Sequence, residues 1–203
     1  MLAIIQARTN SKRFPKKVLH LIKGKPLIKH VVERVKKSKG VTNVIVATSV
    51  NKSDDNLVYF LKKNKIKYFR GSLANVASRF LQIAKKKKKN YFIRISGDSP
   101  LIQPKIINRA IKLHKKNTKY DLITNIFPRS FPHGQSVEIV KTSILENNIK
   151  RMNKFELEHV TQFFYGNYLE FLIKNFISAG KNETIKLAVD TRRDLKNILK
   201  IIK

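Results

Sequence analysis

The sequence predicts an α/β domain built on a mainly parallel β-sheet. Three observations lead there. Short β-rich runs alternate with amphipathic helical stretches along most of the 203-residue chain. The early runs are apolar without interruption, as strands covered on both faces are. Hydrophobic residues make up 42% of the chain, enough to bury a core and too many for a wholly disordered polymer.

The elements follow in order. Leu2–Gln6 is the first strand. Leu27, Ile28, Val31, Val32 and Val35 then recur at helical spacing. Val44–Thr48 is a second strand, and Leu57, Val58 and Leu61 mark a second helix. Lys67–Phe69 is a third strand, followed by a helical stripe of Val76, Phe80, Ile83 and Ala84. Tyr91–Ser96 is the fourth strand, and Ile106, Ile107, Ala110, Ile111 and Leu113 form the next stripe. Asp121–Asn125, Val137–Val140 and Ile185–Val189 read as further strands. A last helix opens at Thr191 with Asp194 as its capping-box partner, and carries Leu195, Ile198, Leu199 and Ile202. Lys85–Lys89 sits at a helix end, where cations suit the helix dipole.

The pattern changes between Pro128 and Gly180. Prolines, His133 and Gly134 interrupt it, and an aromatic-rich stretch follows: Phe155, Phe163, Phe164, Tyr165, Tyr168 and Phe171. We read residues 1–203 as one domain with an insertion or dimerisation arm around 128–180. Exposed aromatics there would suit a homodimer interface, and buried ones would be core.

The chain has no cysteine, which excludes a disulfide framework and any thiolate metal site. The apolar start is too short for a signal peptide, and no apolar run reaches a membrane-spanning length. A cytoplasmic protein without membrane insertion is expected. The net charge of +31 invites a nucleic-acid reading. The lysines, however, are spread over every predicted helix instead of one face, so no stable nucleic-acid partner is expected. Such a field still draws anionic nucleotides and sugar acids toward a cleft.

In a parallel α/β sheet, ligands bind beyond the carboxyl ends of the strands. The loop Gln6–Lys17 lies at one such end and gathers Arg8, Lys12, Arg13, Lys16, Lys17 and Ser11. Arginine grips phosphate oxygens bidentately, lysine acts as a point charge, and backbone amides fill in, so this loop suits a triphosphate. A basic loop in a basic protein is the plain alternative. Asp98, in Arg94–Leu101, follows the fourth strand. It is either an Asx turn or a magnesium ligand, since magnesium takes one or two carboxylates plus phosphates and water. Asp190, before the cap Thr191, is either a junction residue or a second ligand of the same ion. No Walker A loop, G-x-G-x-x-G, H-E-x-x-H or G-x-S-x-G occurs.

Taken in order, Gln6-Ala7-Arg8 through Lys17-Val18-Leu19, Gly24-Lys25-Pro26-Leu27, Val46-Ala47-Thr48-Ser49, Phe69-Arg70-Gly71-Ser72, Ile95 through Ile102, Glu158-His159-Val160-Thr161 and Val189-Asp190-Thr191 resemble the CTP-dependent sugar cytidylyltransferases. The nearest branch is the SpsF-like spore coat polysaccharide group, related to the CMP-Kdo and CMP-sialic acid synthetases. The resemblance spans nearly the whole chain. It implies a three-layer α/β/α nucleotide-diphospho-sugar transferase fold, GT-A-like and Rossmann-like, with a mixed, mainly parallel sheet. It implies CTP and an acidic sugar as substrates, and Mg2+ held by Asp98 and Asp190. Ala7, Arg8, Ser11 and Lys17 would meet the nucleotide, with Gly97 beside them and Arg70, Gly71 and Ser72 near cytosine and ribose. Arg8, Arg13, Lys17 and Asp98 would carry the chemistry. Asn125, Arg129, Glu138 and His159 would face the sugar. Asn75, His133 and Ser136 replace aspartates usual in relatives, and Gln162 replaces a proline. Another nucleotidyltransferase or glycosyltransferase of this fold is the nearest rival reading, and a basic nucleic-acid-binding protein the second.

Overall fold

The computed structural model describes residues 1–180 and 182–202. Its seven-stranded sheet runs in the order β5-β4-β1-β6-β8-β7-β9. These strands are β1 (Leu2–Gln6), β4 (Asn43–Ser49), β5 (Tyr68–Gly71), β6 (Tyr91–Ser96), β7 (Leu122–Thr124), β8 (Glu138–Lys141) and β9 (Ile173–Asn175). β5, β4, β1 and β6 are mutually parallel neighbours. β8 runs antiparallel to both β6 and β7, and β9 lies parallel to β7. The sheet is therefore mixed and mainly parallel, as the sequence indicates.

A separate hairpin joins β2 (Leu21–Ile22) to β3 (Lys25–Pro26). Its two turn residues, Lys23 and Gly24, have φ of 46° and 73°. Positive φ at both positions is the geometry that matches hairpin twist, and it explains the glycine.

The two faces of β1 show why the early strands are apolar throughout. Ala3 and Ile5 pack into one core and Leu2 and Ile4 into the other. The first core is covered by α1 (Leu27–Lys36), α2 (Asp55–Lys63), α4 (Pro104–Lys116) and α8 (Arg192–Ile201). The second is covered by α3 (Val76–Lys86), α5 (Thr142–Asn148), α6 (Lys154–His159) and α7 (Gln162–Gly166). This is the three-layer α/β/α arrangement. The expected caps hold: Thr191 and Asp194 form a reciprocal capping box at α8.

One strand expectation changes. Ile185–Val189 is not a strand. His133 pairs with Lys186 in an isolated bridge, while the Val189 N–H goes to Asp98, so the segment divides its bonds between two neighbours and builds no ladder. β9 has no counterpart in the sequence reading, because three residues in an aromatic stretch carry no periodic signal. Residues 128–180 contribute β8 and β9 to the same sheet. Their aromatics divide: Phe163, Phe164 and Tyr165 are buried, whereas Phe155 and Tyr168 are exposed.

Candidate active site

The site forms where β1, β4 and β6 end together. Ala7 donates its N–H to the Ala47 carbonyl at 3.1 Å, and Gly97 donates to Gln6 at 2.8 Å. A Cβ on Gly97 would stand 2.6 Å from the Gln6 oxygen, so this crossing admits only glycine. The following loop closes on itself, with the Thr9 carbonyl accepting from Ser11 at 2.9 Å and from Lys16 at 2.8 Å. Buried Phe14 fastens its tip against His20, ring centroids 4.4 Å apart. The result is a rigid turn with Arg8, Ser11, Arg13 and Lys17 around it.

Asp54 anchors that turn and is a residue the sequence reading missed. It is fully buried and accepts hydrogen bonds from the Thr9 N–H and hydroxyl and from the Ser49 N–H and hydroxyl. Burial alone would raise its pKa, but these bonds outweigh it and hold the carboxyl below its ordinary range.

Lys17 is the centre of the site. Its Nζ lies 3.0 Å from Asp98 Oδ2 and 3.0 Å from Asp190 Oδ1. The Arg13 guanidinium reaches the same Asp190 oxygen at 3.3 Å. Asp190 is aimed by Asp194, whose Oδ2 accepts from the Asp190 N–H at 2.9 Å and the Thr191 N–H at 2.8 Å. Burial opposes ionisation of Asp190, but Lys17, Arg13 and Lys186 prevail and depress its pKa. Asp194 is lowered to about 2, burial being overcome by Lys186 and the two N–H groups.

Two carboxylates facing one cation offer an all-oxygen donor set of the kind magnesium accepts. Among the described residues no group of three or more His, Cys, Asp or Glu could hold a metal. A cation here would therefore draw its remaining ligands from substrate phosphates and water. The residues present fit that requirement.

Arg8 turns toward the other layer. Its guanidinium pairs with Glu158 Oε1 at 2.5 Å, each side chain 38% exposed. Glu158 lies on α6, which begins with a capping box of Asn153 and Glu156. The helix ends abruptly at Val160, with φ 53° and ψ −57° and the Thr161 N–H bonded to the His159 carbonyl at 2.6 Å. This is a γ-turn of the rare, strained kind, unusual for a buried β-branched residue. The strain fixes how Glu158 and His159 leave the helix. Partial burial lowers the His159 pKa; Glu158 opposes this, and the charges of Arg94 and Arg8 add to it. The Glu-His-Val-Thr run was the available signal for Glu158, but nothing in it revealed the partner.

The remaining expected residues sort by what holds them. Arg70 donates to the Ser49 carbonyl at 2.8 Å and the Asn51 carbonyl at 3.0 Å, and pairs with Asp55 at 2.7 Å. It braces the turn after β4. Ser72 accepts from the Asn75 N–H at 3.0 Å, and Asn75 caps α3 at Ser78, 2.8 Å away. Asparagine keeps the capping role of an aspartate.

On the sugar side the expected residues differ in exposure. Asn125 is completely buried, donating to the Gln135 carbonyl at 2.8 Å and accepting from the Val137 N–H at 2.9 Å, so its amide braces the chain. Glu138 is likewise buried, with one oxygen on Arg94 and the other on the Tyr165 hydroxyl at 2.6 Å. Arg129 remains open: Nη2 donates to Ser136 at 3.2 Å, while Nη1 is buried without a partner among the described residues. His133 is exposed, and its backbone bonds to Ile185 and Leu187. Burial lowers its pKa, aided by Arg129 and Lys186 and opposed by Asp190.

Residues 2–201 match the cytidylyltransferase family. The chain belongs to that family. The enzyme is 31% identical over 209 residues to the spore coat polysaccharide biosynthesis protein SpsF of Bacillus subtilis, covering 98% of this chain and 84% of SpsF. A 3-deoxy-manno-octulosonate cytidylyltransferase of Pelobacter propionicus is 34% identical over 110 residues, 54% of this chain and 42% of its own length. Among solved structures, a cytidylyltransferase from Leptospira borgpetersenii superposes with a TM-score of 0.94 at 30% identity, covering 98% of this chain and 85% of that one.

Proposed function

We propose that this cytidylyltransferase joins CMP from CTP to a hydroxyl of an acidic sugar of the Kdo or nonulosonic class, releasing pyrophosphate for surface polysaccharide synthesis. The observation that carries the reading is the convergence of Asp98 and Asp190 on Lys17 beside the cationic turn. A lysine held between two carboxylates is poised to exchange them for phosphate oxygens when the nucleotide arrives.

In the transfer, a sugar oxygen attacks the α-phosphorus, the bond to the bridging oxygen of the β-phosphate breaks, and pyrophosphate leaves with that electron pair. Positioning and charge neutralisation carry most of such a step. Arg8, Arg13 and Lys17 orient the triphosphate and offset charge on the departing pyrophosphate. Ser11, at the rim of the turn, and Gly97, which lets β1 and β6 meet, shape the phosphate berth. Ala7, whose N–H is already used, meets the nucleotide through its carbonyl side; Gly71 and Ser72 border cytosine and ribose. Magnesium at Asp98 and Asp190, when bound, would neutralise phosphate charge and polarise the α-phosphate.

The open Arg129 and the exposed His159 support an anionic acceptor, since a buried unpaired guanidinium calls for a carboxylate. Phe155, Tyr168 and Leu169, all exposed, support a homodimer formed through the 128–180 segment. No described helix is long and apolar enough to cross a membrane.

The deciding experiment is a pyrophosphate-release screen of each of the four ribonucleoside triphosphates with magnesium against a panel of acidic sugars. Turnover with CTP and one sugar acid is expected. Turnover with GTP alone, or with no acidic acceptor, would overturn the reading. Sedimentation of the enzyme tests the dimer.

A further inference from the structure

Arg79 is a buried cation without a direct ion-pair partner among the described residues. It lies on α3 with only 1% of its surface exposed. One terminal nitrogen donates to the Ala47 carbonyl at 3.2 Å, and Nε is buried with no hydrogen-bond partner. Among the described residues it forms no ion pair. Burial is the leading reason its pKa falls to about 10; Asp54 and Glu158 oppose the fall and Arg8 adds to it.

Taking a charge out of water without a partner is costly, and proteins rarely keep such a group without a use for it. No carboxylate lies within ion-pair distance of it among the described residues, and the charges of Asp54 and Glu158 favour it only from farther away. The Ala47 carbonyl already accepts the Ala7 N–H at 3.1 Å, so Arg79 is not needed to satisfy it. Yet the fold makes room for the stem. Gly71 passes directly over it: a Cβ at Gly71 would stand 2.6 Å from Arg79 Cγ and 3.2 Å from the Phe69 ring. The berth lies under the ends of β4 and β1, where the turn carrying Arg8 begins. Arg8 and Lys17 are both held by carboxylates in the free protein, whereas Arg79 is not.

We propose that Arg79 is a buried countercharge for the phosphates of the nucleotide, left unpaired in the free protein and neutralised when the polyanion binds beside Arg8. The proposal rests on the nucleotide reading above. A charge set in the protein interior acts through a weaker dielectric than a surface lysine and is screened less by salt. Arg79 thus attracts phosphate without touching solvent, at a cost in stability of the free fold.

Arg79→Met has similar volume and no charge. The measurement is equilibrium binding of cytidine, CMP and CTP, together with the thermal midpoint without ligand. The expected result is a CTP dissociation constant about tenfold higher, a smaller factor for CMP and none for cytidine, because the loss follows phosphate charge. The midpoint stays level or rises, as it does when a buried charge is replaced by an apolar side chain. Unchanged CTP affinity overturns the proposal. So does an equal loss for all three ligands with a lowered midpoint, which marks a packing role. Should the methionine variant fail to fold, Arg79→Lys and Arg79→Gln decide: lysine keeps CTP affinity within about threefold and glutamine does not. Equal behaviour of those two overturns it. Wild-type protein that binds no CTP and releases no pyrophosphate sinks the nucleotide reading itself, and this inference with it.

Discussion

The backbone N–H of Val189 donates to the carbonyl of Asp98 at 2.9 Å. That bond ties the last irregular segment to the end of β6 and sets Asp190 beside Asp98. Lys17 then meets both carboxylates at 3.0 Å. The site is thus assembled by one main-chain contact between two stretches far apart in the chain.

Asp98→Asn and Asp190→Asn should each lower turnover by about 100-fold or more, the scale on which preorganised charge acts in such sites. Lys17 keeps one carboxylate partner in each variant, so the thermal midpoint should move by no more than about 3 °C. The readout is pyrophosphate release at saturating CTP. Near wild-type turnover in either variant removes that residue from the metal assignment.

Glu158→Gln should tighten CTP binding. Glu158 occupies the Arg8 guanidinium in the free protein, and phosphate must displace it. Half-exposed pairs contribute little, so the gain is modest, about two- to fivefold in dissociation constant. Calorimetric titration of CTP into both proteins decides it. Weaker binding in the variant would show that Glu158 assists Arg8 instead of competing with phosphate.

Asp54→Ala should destabilise the fold by about 2–4 kcal/mol, because it strands the buried N–H groups of Thr9 and Ser49. The pH dependence has a definite sign. The folded carboxyl titrates below its unfolded value of about 3.9, so its stabilisation is present above that pH and vanishes as pH falls through the lower, folded value. Urea unfolding from pH 6 downward should show wild type and variant converging in acid. A gap that stays constant down to pH 2.5 contradicts this account.

Tyr165→Phe removes a hydroxyl that bonds Glu138 at 2.6 Å and Thr124 at 2.8 Å. Burial raises the tyrosine pKa far above its usual value, and the adjacent Glu138 carboxylate raises it further, so the hydroxyl stays a donor. Its loss leaves Glu138 with Arg94 alone and should cost about 1–3 kcal/mol. A thermal midpoint lower by about 3–8 °C is expected. A midpoint equal to wild type would mean that water replaces the hydroxyl.

Much of the architecture was legible before folding. Leu2–Gln6 and Tyr91–Ser96 match β1 and β6 residue for residue, because short runs rich in β-branched and aromatic residues and bounded by turns read as strands. The Thr191 and Asp194 box marks its helix for a similarly local reason. Short or divided segments escaped. Ile185–Val189 has the composition of a strand but bonds to two neighbours, and β9 is too short for periodicity to show.

The candidate site divides along the same line. The cationic turn and the two strand-end carboxylates are visible as residue types at strand ends. The burial of Asn125 and Glu138 was not legible, because a polar residue reads alike whether it faces a cleft or braces the chain. Asp54 and Arg79 went unnoticed, and Glu158 was seen only as part of its motif, for the complementary reason: nothing in their sequence neighbours announces a partner.

What the amino-acid order settled by itself was the alternation of covered strands and amphipathic helices, the phosphate-suited turn after β1 and the presence of carboxylates at strand ends. Those properties depend on periodicity and on neighbours within a few positions. Which groups meet was decided only by the tertiary structure: Lys17 with both aspartates, Arg8 with Glu158, Arg79 with no carboxylate. Hydrogen bonds and ion pairs act over about 3–4 Å, and chain segments far apart in sequence come that close only once the layers pack.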